Sequence, residues 1–242
     1  MLRMKMINSQ RHFAYRHPTF GTSKSPKSIS HWQGSVYYWW WAYLRMNADY
    51  IACCEANGEG EMSALYQDFG DVRADDFKAW WGEGSRAIRL FAEPAAEAVV
   101  RELELGEPAP DQANLLTLVF PLNLPKRHLQ KRFNELLKKH HTGKQGMQYA
   151  KSSQAKYKFE GQPNVPALKL AIRVYQERLD NPKAKLWEIG NLLPGVITTQ
   201  KLKASDDQYT KEQKKKVLAA SVSRYIRRAQ ESIERVGHGL SP

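Results

Sequence analysis

Residues 211–236 read KEQKKKVLAASVSRYIRRAQESIERV, and this stretch decides how the rest of the chain is read. On a helical wheel of about 100° per residue, Leu218, Val222, Tyr225, Ile226, Ala229, Ile233 and Val236 fall within roughly a 100° arc. That is a core-facing stripe. Lys214, Arg224, Arg227, Arg228 and Arg235 gather on the other side across about 140°, with Ser221 among them and no carboxylate between Arg224 and Arg228. The spacing predicts a helix that packs on one face and meets negative charge on the other.

Working outward, the charge is unevenly spread. The 242 residues carry 37 Lys and Arg against 25 Asp and Glu, a net +12. Residues 1–33 hold six basic and no acidic side chains, 34–111 six and fifteen, and 112–242 twenty-five and ten. A basic C-terminal half beside an acidic middle suggests a polyanion-binding part and a part that faces a protein partner. The expected division is a disordered basic arm (1–33), an aromatic-core helical domain with short strands (34–111) and a basic, mainly helical nucleic-acid-binding domain (112–242), with a boundary in the loop 106–111.

The fold class read from these patterns is α-rich α+β. The run SVYYWWWAYLRMNADYIACCEANG (35–58) steps by three and four through Trp40, Tyr43, Leu44, Asn47, Ile51 and Cys54, which predicts one buried helix of about six turns. Short helices are expected over 61–69 and 74–81. The partial alternation of AIRLFA (87–92) and VVRELEL (99–105), and the continuous apolarity of LLTLVFPL (115–122), predict strands of a small sheet. Pro125 opens a basic amphipathic helix, PKRHLQKRFNELLKKHHTG, with Leu129, Phe133, Leu136 and Leu137 as its stripe and Lys126, Arg127, Lys131 and Arg132 among the cations around it. One short strand is expected at 155–159, and helices over 165–179 and 185–193 precede the helix quoted above.

Several classes of chemistry find no footing. The sequence has no GxxxxGK[ST], GxGxxG, HExxH, GxSxG or spaced CxxC motif, so no enzyme and no cofactor are expected. His128, His140 and His141 lack the spacing and cysteine companions of a zinc site, so no metal is expected. Cys53 and Cys54 are adjacent and cannot staple distant segments, which suits a reduced, cytoplasmic protein. No run of 18 apolar residues is present, so no membrane span is expected.

The C-terminal third resembles a helix-turn-helix DNA-binding unit. LWEIGNLLPG (186–195) is similar to a first helix, its small Gly190 allowing a close crossing, and ASVSRYIRRAQ (220–230) is similar to a recognition helix. The resemblance implies that Ser221, Ser223, Arg224, Arg227 and Arg228 approach the major groove or its phosphates while Val222, Tyr225 and Ile226 pack. Arg can bind guanine O6 and N7 with two hydrogen bonds, and Ser serves several base edges. The turn departs from the family pattern, with about 15 to 25 residues in place of three or four. Through YYWWWAYLRMNADYIACC (37–54) the chain also resembles bacterial proteins carried on phages and other mobile elements.

The function expected is duplex-DNA binding, as a regulator or an accessory factor of replication or recombination, through Ser221, Ser223, Arg224, Arg227, Arg228 and Lys214, with Lys126, Arg127, Lys131 and Arg132 as a second patch. Two other readings fit the same residues. Exposed rings among Tyr37, Tyr38, Trp39 and Trp41 beside a basic groove would mark an RNA or single-strand binder. An acidic 34–111 segment docked on a partner would mark an assembly subunit whose basic faces are incidental.

Overall fold

A computed structural model describes residues 11–94, 102–104, 106–109, 116–140, 153 and 155–242. Ten α-helices carry most of it: α1 (Ile29–Gln33), α2 (Val36–Leu44), α3 (Ala48–Glu55), α4 (Ser63–Phe69), α5 (Phe77–Gly82), α6 (Arg86–Phe91), α7 (Lys126–His140), α8 (Val165–Asp180), α9 (Leu186–Leu192) and α10 (Gln208–Gly237). The strands are β1 (Arg11–Phe13), β2 (Gly21–Thr22), β3 (Ser25–Pro26) and β4 (Ala92–Pro94). β1 pairs antiparallel with β4, placing Phe13 opposite Ala92, and β2 pairs with β3 in a short hairpin. The protein is helix-dominated with little strand.

The aromatic run is the centre of the core, but not as one helix. The chain breaks between α2 and α3 because Asn47, instead of continuing the turn, caps α3: its Oδ1 accepts from the Tyr50 N–H at 2.9 Å. Its Nδ2 donates to the Ile233 carbonyl of α10 at 3.0 Å, so the break also ties α2–α3 to the C-terminal helix. Around α2, Trp40 meets Phe91, Phe159 and Tyr157, while Trp41 meets Phe77 and Trp80. Rings projecting in every direction are therefore covered by other elements, which is the only way so apolar a helix can persist in water. This cluster runs on into Phe159, Ala171, Ile172, Ala229, Ile233 and Val236, so the buried core does not divide at 106–111.

Five local expectations are corrected. Residues 11–33 are not a disordered arm: they form β1, the β2–β3 hairpin and α1, and Phe13, Tyr15, Phe20 and Trp32 pack on the core. Residues 1–10 lie outside the described residues. Residues 87–91 of AIRLFA are helical, and only Ala92, which opens β4, is strand: Ala87, Leu90 and Phe91 are buried at helical spacing while Ile88 and Arg89 face out, so the alternation was a 3.6-residue period seen over too short a window. Of LLTLVFPL, Leu115 lies outside the described residues and 116–122 form no strand; the segment is largely exposed, Val119 at 93% and Leu122 at 87%, with Phe120 against Phe133 of α7. Residues 155–159 also form no strand, although Tyr157 donates its N–H to the Leu90 carbonyl and Phe159 is buried. In VVRELEL, residues 99–101 and 105 lie outside the described residues and 102–104 are not strand.

Among the described residues no helix is long and apolar enough to cross a membrane.

Candidate nucleic-acid interface

α10 begins where Asp207 accepts from the Thr210 N–H at 2.7 Å, a cap that holds the Asp207 carboxyl below its usual range. Its inward side buries Leu218, Ser221, Val222, Ala229, Ser232, Ile233 and Val236. The lower half of that side belongs to the aromatic core. The upper half joins Val174 of α8 with Ile189, Leu193 and Val196 in a second cluster.

The crossing of α9 on α10 happens at Gly190, as its size implied. A methyl group built there would lie 3.0 Å from Val222 Cγ2 and 3.2 Å from Leu218 Cβ, so α9 and α10 cross closely enough that any larger residue would have to push these side chains aside by a few tenths of an ångström. α8, α9 and α10 thus form a three-helix unit with α10 as its long last member.

The enlarged turn between α9 and α10 is a folded piece. Leu193 and Val196 are buried, a short 3₁₀ turn spans Thr198–Gln200, and the Lys201 ammonium donates to the carbonyls of Gly190, Asn191 and Leu193 at 2.5–2.7 Å. A lysine thereby satisfies the end of α9, where carbonyls lack helical partners. Burial lowers the Lys201 pKa from its usual value. Asn191 Oδ1 accepts from the Leu202 N–H, and Lys214 bridges Asp206 at 2.7 Å and the Lys201 carbonyl at 3.2 Å. The Lys214 hydrogen bond holds the Asp206 carboxyl below its usual range. Fifteen residues thus replace a tight turn without leaving a floppy loop.

Against this frame the expected contact residues separate. Ser223, Arg224, Arg227 and Arg228 are exposed along the outer side of α10. Arg227 lies 3.5 Å from Glu231 in a loose surface pair, and Arg228 has no partner among the described residues. Two members are corrected. Ser221 is buried, donating to the Val217 carbonyl at 2.8 Å and accepting from Arg224 Nη2 at 3.2 Å, so it orients Arg224 rather than facing a groove. Lys214 is turned inward and consumed by Asp206; the wheel placed it near the cationic face, but the folded turn covers that position. Arg235 is held by Glu160 and the Ser241 carbonyl.

On α7, Lys126, Arg127, Lys131 and Arg132 are all exposed, and Arg132 pairs with Glu135 at 2.9 Å. The helix buries none of its residues. Sequence reasoning passed over the first turns of α10, where Tyr209 is 75% exposed and Gln213 and Lys216 also face out. The Asp207 cap was the signal that located this end of the helix. Lys215 is less available, lying over the Trp187 ring and pairing with Glu212.

Of the aromatic residues offered for stacking, Tyr37, Trp39 and Trp41 are 1%, 4% and 1% exposed, and Tyr38 is half-buried between Trp39, Trp41 and Phe77. Cys53 and Cys54 are buried and free.

No protein-family model, curated protein or solved structure matches this chain.

Proposed function

We propose that this protein binds duplex DNA, as a regulator or an accessory factor of replication or recombination, and that α10 is the element that meets it. The observation that carries the reading is the row Ser223, Arg224, Arg227 and Arg228, exposed on a helix whose opposite side is locked into two core clusters. An α-helix fits the major groove, and guanidinium groups suit both phosphates and guanine edges. The three-helix unit α8–α9–α10 gives that helix a rigid mount, and Tyr209, Gln213 and Lys216 extend the contact surface toward its N-terminal turns. The cations of α7 supply a second patch that adds phosphate contacts without reading sequence. Binding, with no catalytic step, is the whole of the proposed activity.

The burial of Tyr37, Trp39 and Trp41 argues for duplex over unpaired strands, because stacking needs an open ring face. The test is competition on the full chain, since α10 shares its core with α2 and cannot be excised from it. A labelled duplex should be displaced best by unlabelled duplex, less by single strands and least by structured RNA. Arg228→Ala with Arg224→Ala should weaken duplex binding, while Lys214→Gln should not weaken it beyond any loss of stability. Equal competition by single strands, or an undiminished affinity in the double arginine variant, would reject the proposal.

A further inference from the structure

Two surfaces carry apolar side chains that DNA binding does not use. The first is the outer side of the arm 116–140. Val119 and Leu122 are almost fully exposed, Leu116, Phe120 and Leu124 are exposed by 39–43%, and the run only partly covers the apolar stripe of α7. So continuous an apolar ridge on a charged protein marks a contact surface. Around it stand six cations of α7 and one carboxylate, Glu135.

The second surface is a groove of about 1070 Å³ between α3, α4 and the turn at 237–239. Its lining mixes the apolar side chains of Ala52, Met62 and Leu65 with four carboxylates, Asp49, Glu59, Glu61 and Asp68, against one lysine, Lys156, and His238. Asp68 is already held by Lys156 and the Tyr157 hydroxyl at 2.6 Å. Asp49, Glu59 and Glu61 have no partner among the described residues.

We infer that the arm of one copy docks in the acidic groove of a second copy, so that the chain associates head to tail. Charge decides the pairing. Arm against arm would appose two strongly cationic helices, and residues 112–242 as a whole hold twenty-five basic against ten acidic side chains, whereas the groove offers carboxylates beside apolar side chains. The arm does not fill the groove of its own chain, since none of residues 116–140 lines it. The two surfaces are different, so the contact is heterologous and a pair of copies keeps one free arm on one member and one free groove on the other. The groove residues lie off the outer face of α10 and carry none of the cations assigned to DNA, so blocking the groove separates association from DNA binding, whereas the α7 cations of the arm are shared by both.

Sedimentation velocity of the nuclease-treated full chain at low salt tests this. The wild type should sediment faster as concentration rises and return toward the monomer in high salt. Val119→Asp with Leu122→Asp blocks the arm, and Glu59→Lys with Glu61→Lys blocks the groove; all four positions are exposed, and circular dichroism checks that the helices persist. Each blocked variant alone should associate at least about tenfold more weakly, a loss of about 1.4 kcal/mol. An equimolar mixture of the two should form a heterodimer and stop there, because only one functional arm and one functional groove remain between them. A wild type that stays monomeric, blocked variants that associate as the wild type does, or a mixture that stays monomeric would each overturn the inference.

Discussion

The α9–α10 crossing sets where the cationic row of α10 points, and its energetics follow from two side chains. Gly190→Ala should gain about 1 kcal/mol of helix propensity. The new methyl, however, would lie 3.0 Å from Val222 Cγ2 and 3.2 Å from Leu218 Cβ, both on fully buried residues. Such overpacking costs about 1–3 kcal/mol, so the net change is a loss of about 1 kcal/mol. Val222→Ala removes two methyl groups worth about 0.8 kcal/mol each, and a cavity term brings the loss to about 2–3 kcal/mol. In the double variant the added methyl enters the space that Val222 vacated. Its loss should therefore fall about 1–2 kcal/mol short of the sum of the single losses. Urea unfolding followed by far-UV circular dichroism measures all four species, with an unchanged slope showing that only stability has moved. Additivity within about 0.5 kcal/mol, or a Gly190→Ala variant more stable than wild type, would refute the crossing.

Further outcomes follow from the same frame. Asn47→Ala removes the cap of α3 and the tie to Ile233, for a thermal or urea-measured loss of about 1–3 kcal/mol; Asn47→Asp keeps the cap but replaces the donor to the Ile233 carbonyl with an acceptor, and should be no better. The Asp206 carboxyl is held below its ordinary value of 3.8 chiefly by Lys214. A carboxylate depressed in the folded state stabilises fully above its unfolded pKa, so this contribution should be intact above pH 3.8, decline below it, and vanish once Asp206 itself protonates. Amide exchange across 196–207 should report that loss of protection, and Asp206→Asn should flatten its pH dependence.

Much of the helical framework was legible in the sequence because long amphipathic patterns outlast local ambiguity. The helices at 126–140, 165–180, 186–192 and 208–237 stand where the apolar stripes, Pro125 and Asn181-Pro182 put them. What failed was short-range. Six residues of AIRLFA fit two periods, and only tertiary burial of Ala87, Leu90 and Phe91 selects the helix. The apolarity of 116–122 looked like a buried strand, whereas the segment lies exposed against α7, and a run meant for a contact surface has the same composition as one meant for a core. Asn47 was counted as one more step in an apolar stripe, although a short amide ahead of Asp49 is also an N-cap signal. On the candidate interface, the wheel separated the packing side of α10 from the cationic side. It could not show that Asp206 folds back to take Lys214, or that Ser221 sits just inside the boundary and turns its hydroxyl to Val217. Those are effects of the turn, whose fold depends on Lys201 reaching three carbonyls.

The salt dependence of duplex binding by the full chain tests the central claim most directly. Arg224, Arg227 and Arg228 on α10 and Lys126, Arg127, Lys131 and Arg132 on α7 are the exposed cations assigned to phosphate. If six of these seven are engaged, log K should fall with log salt at a slope of about −5, at about −0.9 per phosphate neutralised. Removing Arg224 and Arg228 should make that slope shallower by about 2. A flat response, or no binding at low salt, would contradict the account.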